Sequence, residues 1–282
     1  MITYPNVKIN LGLHVLRKRP DGYHDLETLF VPYFGLSDTL EIVTGDEGSQ
    51  TAASLSERYG GEAVQAISPD GRLMVTLARE EGVDWDPLKD LTVKAYRLLA
   101  ADYKLPPMKI FLEKGSPVGA GLGGGSADAA FALRMIATLG GLALDDATLA
   151  SYAARLGSDC AFFIYNRPMI GEGRGEILTP FELPAIGENG PYRLEVVVPE
   201  GISVSTADAY RGIVPVEPQT PLREVLSRPV EQWKYLLVND FEKTVFAKFP
   251  ALAAIKRSLY DSGAVYAAMS GSGSALFALY RR

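Results

Sequence analysis

Five glycines fall between positions 119 and 125, in Pro117-Val-Gly-Ala-Gly-Leu-Gly-Gly-Gly-Ser-Ala-Asp-Ala-Ala130. Glycine costs chain entropy, so such a run is kept where backbone must lie flat against something or take positive φ. Ser126 stands where it could cap a helix that residues 127–136 should form. A loop rich in free N–H groups, leading into the positive end of a helix dipole, is a cradle for phosphate. The bare pattern Gly119-x-Gly121-x-x-Gly124 also suits a loop that only turns the chain. No Gly-Lys-Ser or Gly-Lys-Thr follows the glycines, and the His-Arg-Asp and Asp-Phe-Gly signatures of protein kinases are missing.

Other residues could also do chemistry. Lys114 beside the loop and the Arg17-Lys18-Arg19 cluster are candidate anion donors, and either also reads as a solvated charge. A net charge of −6 gives no broad basic surface, which argues against nucleic-acid binding and leaves anion recognition to local donors. Cys160 is the only cysteine, so no intrachain disulfide forms, and Ala161-Phe-Phe-Ile164 after it suggests a small buried residue rather than a nucleophile. No apolar run reaches membrane-spanning length and residues 1–5 lack a signal-like pattern, so no membrane partner and a cytoplasmic location are expected.

The elements that must carry these residues follow from periodicity. Residues 7–15 alternate and read as a strand, Pro20-Asp-Gly22 as a turn, and 38–43 as a second strand. Residues 44–71 are polar, glycine-rich and weakly patterned, and read as a surface insertion with a short helix near 54–58. Residues 87–103 have helical spacing, and 108–113 form a strand feeding the glycine loop. The loop's helix should stop at Gly140-Gly141, and Asp145 or Asp146 should cap the next, ending near Gly157. Further on, 192–198 read as a strand, 233–248 and 251–260 as helices, and 265–269 and 275–280 as strands flanking Ser270-Gly-Ser-Gly-Ser274. The result is α+β in each half, with a boundary near 155–170.

Three separated segments agree in order: Pro5-Asn-Val-Lys-Ile-Asn-Leu-Gly-Leu-His-Val15 with Arg19-Pro-Asp-Gly-Tyr-His-Asp25, the glycine loop, and Met269-Ser-Gly-Ser-Gly-Ser274. This order resembles the GHMP kinase superfamily. The Arg-Pro-Asp-Gly-Tyr-His block, Leu156-Gly-Ser-Asp-Cys-Ala-Phe-Phe163 and Gly173-Arg-Gly-Glu-Ile-Leu-Thr-Pro180 resemble those members that phosphorylate a cytidine-bearing sugar alcohol in non-mevalonate isoprenoid biosynthesis.

The resemblance implies a two-domain α+β fold, 1–157 and 158–282, with the active site in the cleft between the domains. It implies ATP and Mg²⁺ as cofactors and a small-molecule substrate, in a monomer or homodimer. Lys8 and Asp159 match the family's catalytic pair. Without the resemblance they read as an exposed strand lysine and a helix cap. A carboxylate alone is a weak base toward an alcohol, and a nearby ammonium keeps it ionised while polarising the hydroxyl. ATP would be held by Lys114, Pro117, Gly119, Ala120, Gly121, Leu122, Gly123, Gly124, Gly125, Ser126, Ser270, Gly271, Ser272 and Gly273. Ser126 is the candidate metal ligand, and Asp128 a weaker one. Asn10, Tyr23, His24, Thr206 and Tyr210 match substrate-binding positions, with Tyr23 and His24 suited to a pyrimidine by stacking and edge hydrogen bonding. His14 is expected to be structural, and Asp90 stands where the family commonly has asparagine.

Alternatives stay open at this stage. Another GHMP kinase, of the homoserine or mevalonate type, would have no use for Tyr23-His24. A non-catalytic nucleotide-binding regulator would not need both Lys8 and Asp159. A dinucleotide oxidoreductase fails because no acidic residue closes a βαβ unit about 20 residues past the loop, where Gly140-Gly141 interrupts.

Overall fold

The structure is a computed structural model that describes residues 1–45, 47–186 and 190–282. In chain order the strands are β1 (Ile2–Thr3), β2 (Asn6–Lys18), β3 (His24–Ser37), β4 (Thr39–Thr44), β5 (Val64–Ile67), β6 (Leu73–Arg79), β7 (Met108–Lys114), β8 (Met169–Glu172), β9 (Ile177–Pro180), β10 (Tyr192–Val197), β11 (Tyr266–Met269) and β12 (Leu276–Arg281). The helices are α1 (Gln50–Tyr59), α2 (Leu91–Ala100), α3 (Gly124–Leu139), α4 (Asp146–Leu156), α5 (Cys160–Tyr165), α6 (Thr206–Tyr210), α7 (Leu222–Leu226), α8 (Val230–Leu236), α9 (Phe241–Lys248) and α10 (Pro250–Asp261).

The chain forms two compact units, neither of them continuous in sequence. The first holds Met1–Val7, Tyr33–Val118 and Gly124–Asn166; the second holds Lys8–Pro32, Gly119–Gly123 and Arg167–Arg282. The family boundary drawn at 157/158 lies within the first unit, between α4 and α5.

The first unit is built on a five-stranded sheet in the order β1-β4-β7-β6-β5, antiparallel except for the β6–β7 pair. Parallel neighbours need a crossover, which the stretch containing α2 supplies. One face of this sheet carries Leu40, Ile42, Val75, Leu77, Ile110 and Leu112, all fully buried, and α2 to α5 pack together as its helical layer. Its other face carries Val43, Ala78 and Phe111, which cluster with Leu55 of α1. The stretch read as an irregular insertion is therefore part of the fold. Ser49 caps α1 by accepting from Ala52 N at 2.9 Å, and β5 pairs with β6 along the sheet edge. Asp46, within that stretch, lies outside the described residues.

The second unit has a four-stranded sheet, β2-β3-β8-β9, and a three-stranded antiparallel sheet, β10-β12-β11. Two sequence expectations change here and in α3. Residues 233–248 are not one helix: α8 ends at Leu236, and Leu13 N donates to Val238 O while Asp240 N donates to Leu13 O, drawing the connecting backbone along β2. The loop's helix begins at Gly124, so Ser126 sits inside its first turn and is not its cap.

β2 positions most of the chemistry. Its alternation predicts one apolar face and one solvated face, and the apolar side chains of Val7, Ile9, Leu11, Leu13 and Val15 are indeed buried. The opposite face is buried as well, and it carries Asn6, Lys8, Asn10 and His14. A polar strand face hidden from water must be satisfied by the protein itself or be kept for a ligand.

Candidate active site

In the second unit, Lys8 is a buried lysine, not an exposed one. Its ammonium donates to Asn10 Oδ1 at 2.5 Å and to the Gly121 carbonyl at 3.0 Å, and lies 5.5 Å from the centre of the Phe30 ring. Asn10 is held in turn, its Nδ2 donating to Thr28 Oγ1 at 3.1 Å. Thr28 comes from β3, a strand that the alternation analysis missed. The Ser270 hydroxyl donates to the same Gly121 carbonyl at 3.0 Å and accepts from Asn10 N at 3.2 Å. The three motifs thus meet at one carbonyl oxygen.

The glycine loop is pinned by backbone bonds on two sides. Lys8 N donates to Leu122 O at 2.9 Å, and Ala275 N donates to Ala120 O at 3.0 Å. Ala120 and Leu122 bury their side chains as anchors, while Gly119, Gly121 and Gly123 between them stay at least partly exposed. Gly121 has φ +77°, and a Cβ there would lie 2.2 Å from Ser270 O. Only glycine allows that approach.

Within the first unit lie Lys114, Pro117, Gly124, Gly125, Ser126 and Asp159. Lys114 is held by two acidic partners. Its ammonium is buried between Asp38 and Asp128, donating to both, at 2.5 Å to Asp128 Oδ2. Asp38 also accepts from Ser116 N at 2.7 Å and from Ser116 Oγ at 2.8 Å. A Cβ on Gly124 would lie 2.4 Å from Ser116 Oγ, so the first turn of α3 rests directly on this cluster. Burial pushes the Asp128 carboxyl well above its ordinary range, with the Lys114 cation opposing, and its Oδ1 has no partner. Burial thus favours the neutral form of Asp128, while Asp38 takes the other Lys114 bond together with the two donations from Ser116.

Asp159 occupies the position before α5 but makes no capping hydrogen bond there, which removes the helix-cap reading. Cys160 is buried and its thiol is pushed up to about 12 by desolvation, against a hydrogen bond from Ser126. It is a packed residue and no thiolate nucleophile.

The substrate-binding candidates group in the second unit. His24 stacks on Tyr210, ring centres 4.8 Å apart and 19° from parallel, and Tyr210 meets Phe241 edge-on. Tyr23 is exposed, with the Arg174 guanidinium 5.0 Å from its ring centre. Thr206 lies 3.2 Å from the Ser272 hydroxyl. Burial, then the nearby Lys18 charge, lower the His24 pKa, leaving a neutral imidazole at neutral pH. Arg17 and Arg19 are engaged by Asp25, with Asp21 also on Arg19. Asp90 caps α2, accepting from Thr92 N at 2.9 Å, a task asparagine shares.

Family models for the GHMP kinases N terminal domain and the GHMP kinases C terminal match residues 90–167 and 225–282. A Bacteroides fragilis protein named 4-diphosphocytidyl-2-C-methyl-D-erythritol kinase is 46% identical over 280 residues, covering 99% of this chain and 92% of its own length. The chain belongs to the 4-diphosphocytidyl-2-C-methyl-D-erythritol kinase family. A Porphyromonas gingivalis protein of the same name is 42% identical over 282 residues, 100% of this chain and 92% of that one. A crystal structure of 4-(cytidine 5'-diphospho)-2C-methyl-D-erythritol kinase superposes with a TM-score of 0.74 at 31% identity, covering 99% and 90% of the two chains. The mevalonate kinase of L. major, with a TM-score of 0.57 at 17% identity over 99% and 90%, shares the fold alone.

For a member of this kinase family, sequence reasoning missed Thr28, Asp38 and Asn239. Asn239 Nδ2 donates to the carbonyls of Met269 and Gly271, both at 2.8 Å. The available signal was local: Asp38 just ahead of β4, and an Asn-Asp pair breaking a helical stretch.

Proposed function

We propose that the chain transfers the γ-phosphoryl group of ATP to the 2-hydroxyl of 4-diphosphocytidyl-2-C-methyl-D-erythritol, a step in isoprenoid precursor synthesis. Full-length kinship at 46% identity with a kinase of that name carries the reading. The buried Lys8 supports it, because a lysine is costly to bury without a task.

ATP lies with its phosphates along residues 119–126, facing backbone N–H groups and the positive end of α3, and residues 270–273 hold it from the C-terminal part of the chain. Phosphoryl transfer has a loose transition state, so positioning and charge neutralisation dominate. Asp159 orients the acceptor hydroxyl and takes its proton, and Lys8 steadies the oxygen as charge develops. Tyr23, His24, Tyr210, Asn10 and Thr206 bind the acceptor, with neutral His24 reading a pyrimidine edge.

Among the described residues no three His, Cys, Asp or Glu side chains gather as a metal site, and Asp128 is committed to Lys114. That donor set fits a magnesium ion carried chiefly by the nucleotide's phosphates and water, with the Ser126 hydroxyl as the protein's contribution. Held there by Ser126, such an ion would supply charge neutralisation for the transferring phosphoryl group. Among the described residues no helix is long and apolar enough to cross a membrane, and we place the reaction in the cytoplasm, with the nucleotide pool.

The test is ADP release from Mg-ATP with the cytidyl acceptor, beside homoserine and mevalonate. Turnover with the cytidyl compound alone establishes the activity. Turnover with either control alone, or with no acceptor, overturns it.

A further inference from the structure

Asn239 lies in the extended segment between α8 and α9 and is 4% exposed. Its backbone bridges to Leu13 of β2. Its side chain uses every hydrogen-bonding position that matters: Nδ2 donates to Met269 O and Gly271 O, and Oδ1 accepts from Phe241 N at 3.0 Å. The two carbonyls flank Ser270, whose hydroxyl reaches the Gly121 carbonyl that also receives the Lys8 ammonium. Only a group with two N–H bonds on one nitrogen can tie both carbonyls from this position. A carboxylate of the same size would face two acceptors with a third.

We propose that Asn239 is a positioning residue for phosphoryl transfer, holding the loop that contains Ser270 so that Ser270 and Gly121 set the place of the Lys8 ammonium. Its buried side chain is spent on the backbone of Met269, Gly271 and Phe241, so it acts through the loop and not on a ligand directly. Its effect passes from two carbonyls to Ser270, then to Gly121 O, then to Lys8. The inference rests on the proposed kinase reading for its catalytic consequence, but the clamp itself is a property of the loop.

Asn239→Asp should lower kcat about 10²-fold with KM for the acceptor little changed, while KM for ATP rises because the loop it loosens, residues 270–273, also holds the nucleotide. Asn239→Ser keeps one donor and should show a smaller loss of the same kind, which covers the case in which the aspartate variant fails to fold. In the double variant with Ser270→Ala the two losses should not multiply, since the proposed route runs through the Ser270 hydroxyl. Hydrogen exchange provides a readout independent of turnover. The Gly273 and Ala275 amides, bonded to Ser270 O and Ala120 O, should exchange about tenfold faster in Asn239→Asp, while β10 amides hold their rates. Unchanged kcat per folded molecule in both variants, or losses that multiply fully with Ser270→Ala, would overturn the proposal. If the wild-type protein turns over no acceptor, the kinase reading fails, and exchange alone decides the inference: unchanged Gly273 and Ala275 rates sink it too.

Discussion

Lys8 and Asn10 project from the same face of β2, and the Lys8 ammonium donates to the Asn10 side-chain oxygen at 2.5 Å. Asn10 is oriented from behind by Thr28, whose hydroxyl donates to Gly12 O at 2.5 Å. A three-residue relay across β2 and β3 therefore aims the lysine. Asn10→Leu leaves the ammonium with one acceptor fewer, and kcat should fall about 10–10²-fold at saturating ATP, in line with a misplaced catalytic group. A kcat within twofold of wild type would show that the Asn10 contact is not needed to aim the lysine.

Asp159→Asn keeps shape and removes the carboxylate proposed to take the acceptor's proton. The expected result is a kcat lower by about 10²–10⁴-fold, with a modest change in KM, read by steady-state ADP release. Near-normal turnover would remove Asp159 from the chemistry.

The Lys114 cluster predicts an asymmetry between its members. Lys114→Met strands the Asp38 carboxylate in a dry site and should cost about 3–5 kcal/mol of stability, as breaking buried pairs does. Asp128→Asn imitates the neutral acid and should cost little. Because the Asp128 carboxyl is raised in the folded protein, the folded state holds a proton that the unfolded chain releases. Stability from this site is therefore full below the ordinary carboxylate range and is lost as pH rises beyond it through the raised folded value. Urea unfolding at pH 4 and pH 8 should show Asp128→Asn gaining on wild type at the higher pH. A gap that stays constant would mean Asp128 is ionised.

Glu41 behaves in the opposite sense. Burial pushes its carboxyl up, but hydrogen bonds from Ser49 and from the Thr51 and Gln50 backbone outweigh this and lower it. It holds the start of α1 against the sheet. Glu41→Gln should destabilise by about 1–3 kcal/mol at neutral pH. The wild-type contribution is present above the ordinary carboxylate range and is lost as pH falls through the lowered folded value. Thermal melts of both proteins should converge in acid; a difference that persists there would contradict this role.

The sequence made much of this legible because the site is built from short contiguous blocks. Alternation identified β2, the glycine run identified its loop, and Gly140-Gly141 and Asp145 marked helix ends that the structure places at Leu139 and Asp146. What escaped were effects that depend on burial or on distant partners. Lys8 looks like any outward-facing strand lysine until β2 proves to be hidden on both faces. Lys114 looks like a lone basic residue until Asp38, 76 residues away in sequence, is found against it. Residues 44–71 look unstructured because α1 draws its order from Glu41 and from the sheet, with few apolar residues of its own. The helix over 233–248 was interrupted by pairing with β2, which no local propensity records.

The division of the chain into two interleaved units also bears on how the protein is made. Residues Lys8–Pro32 emerge from the ribosome early, yet the strand β8 that pairs with β3 lies beyond Arg167. The first unit has all of its segments once Asn166 has emerged. Until the remaining stretch is synthesised, β3 has β2 on one side but lacks β8 on the other, and an open strand edge of this kind invites pairing with other chains. The residues that form the Lys8 site thus belong to the last part of the molecule that can close, and truncated translation products should be captured by chaperones through them.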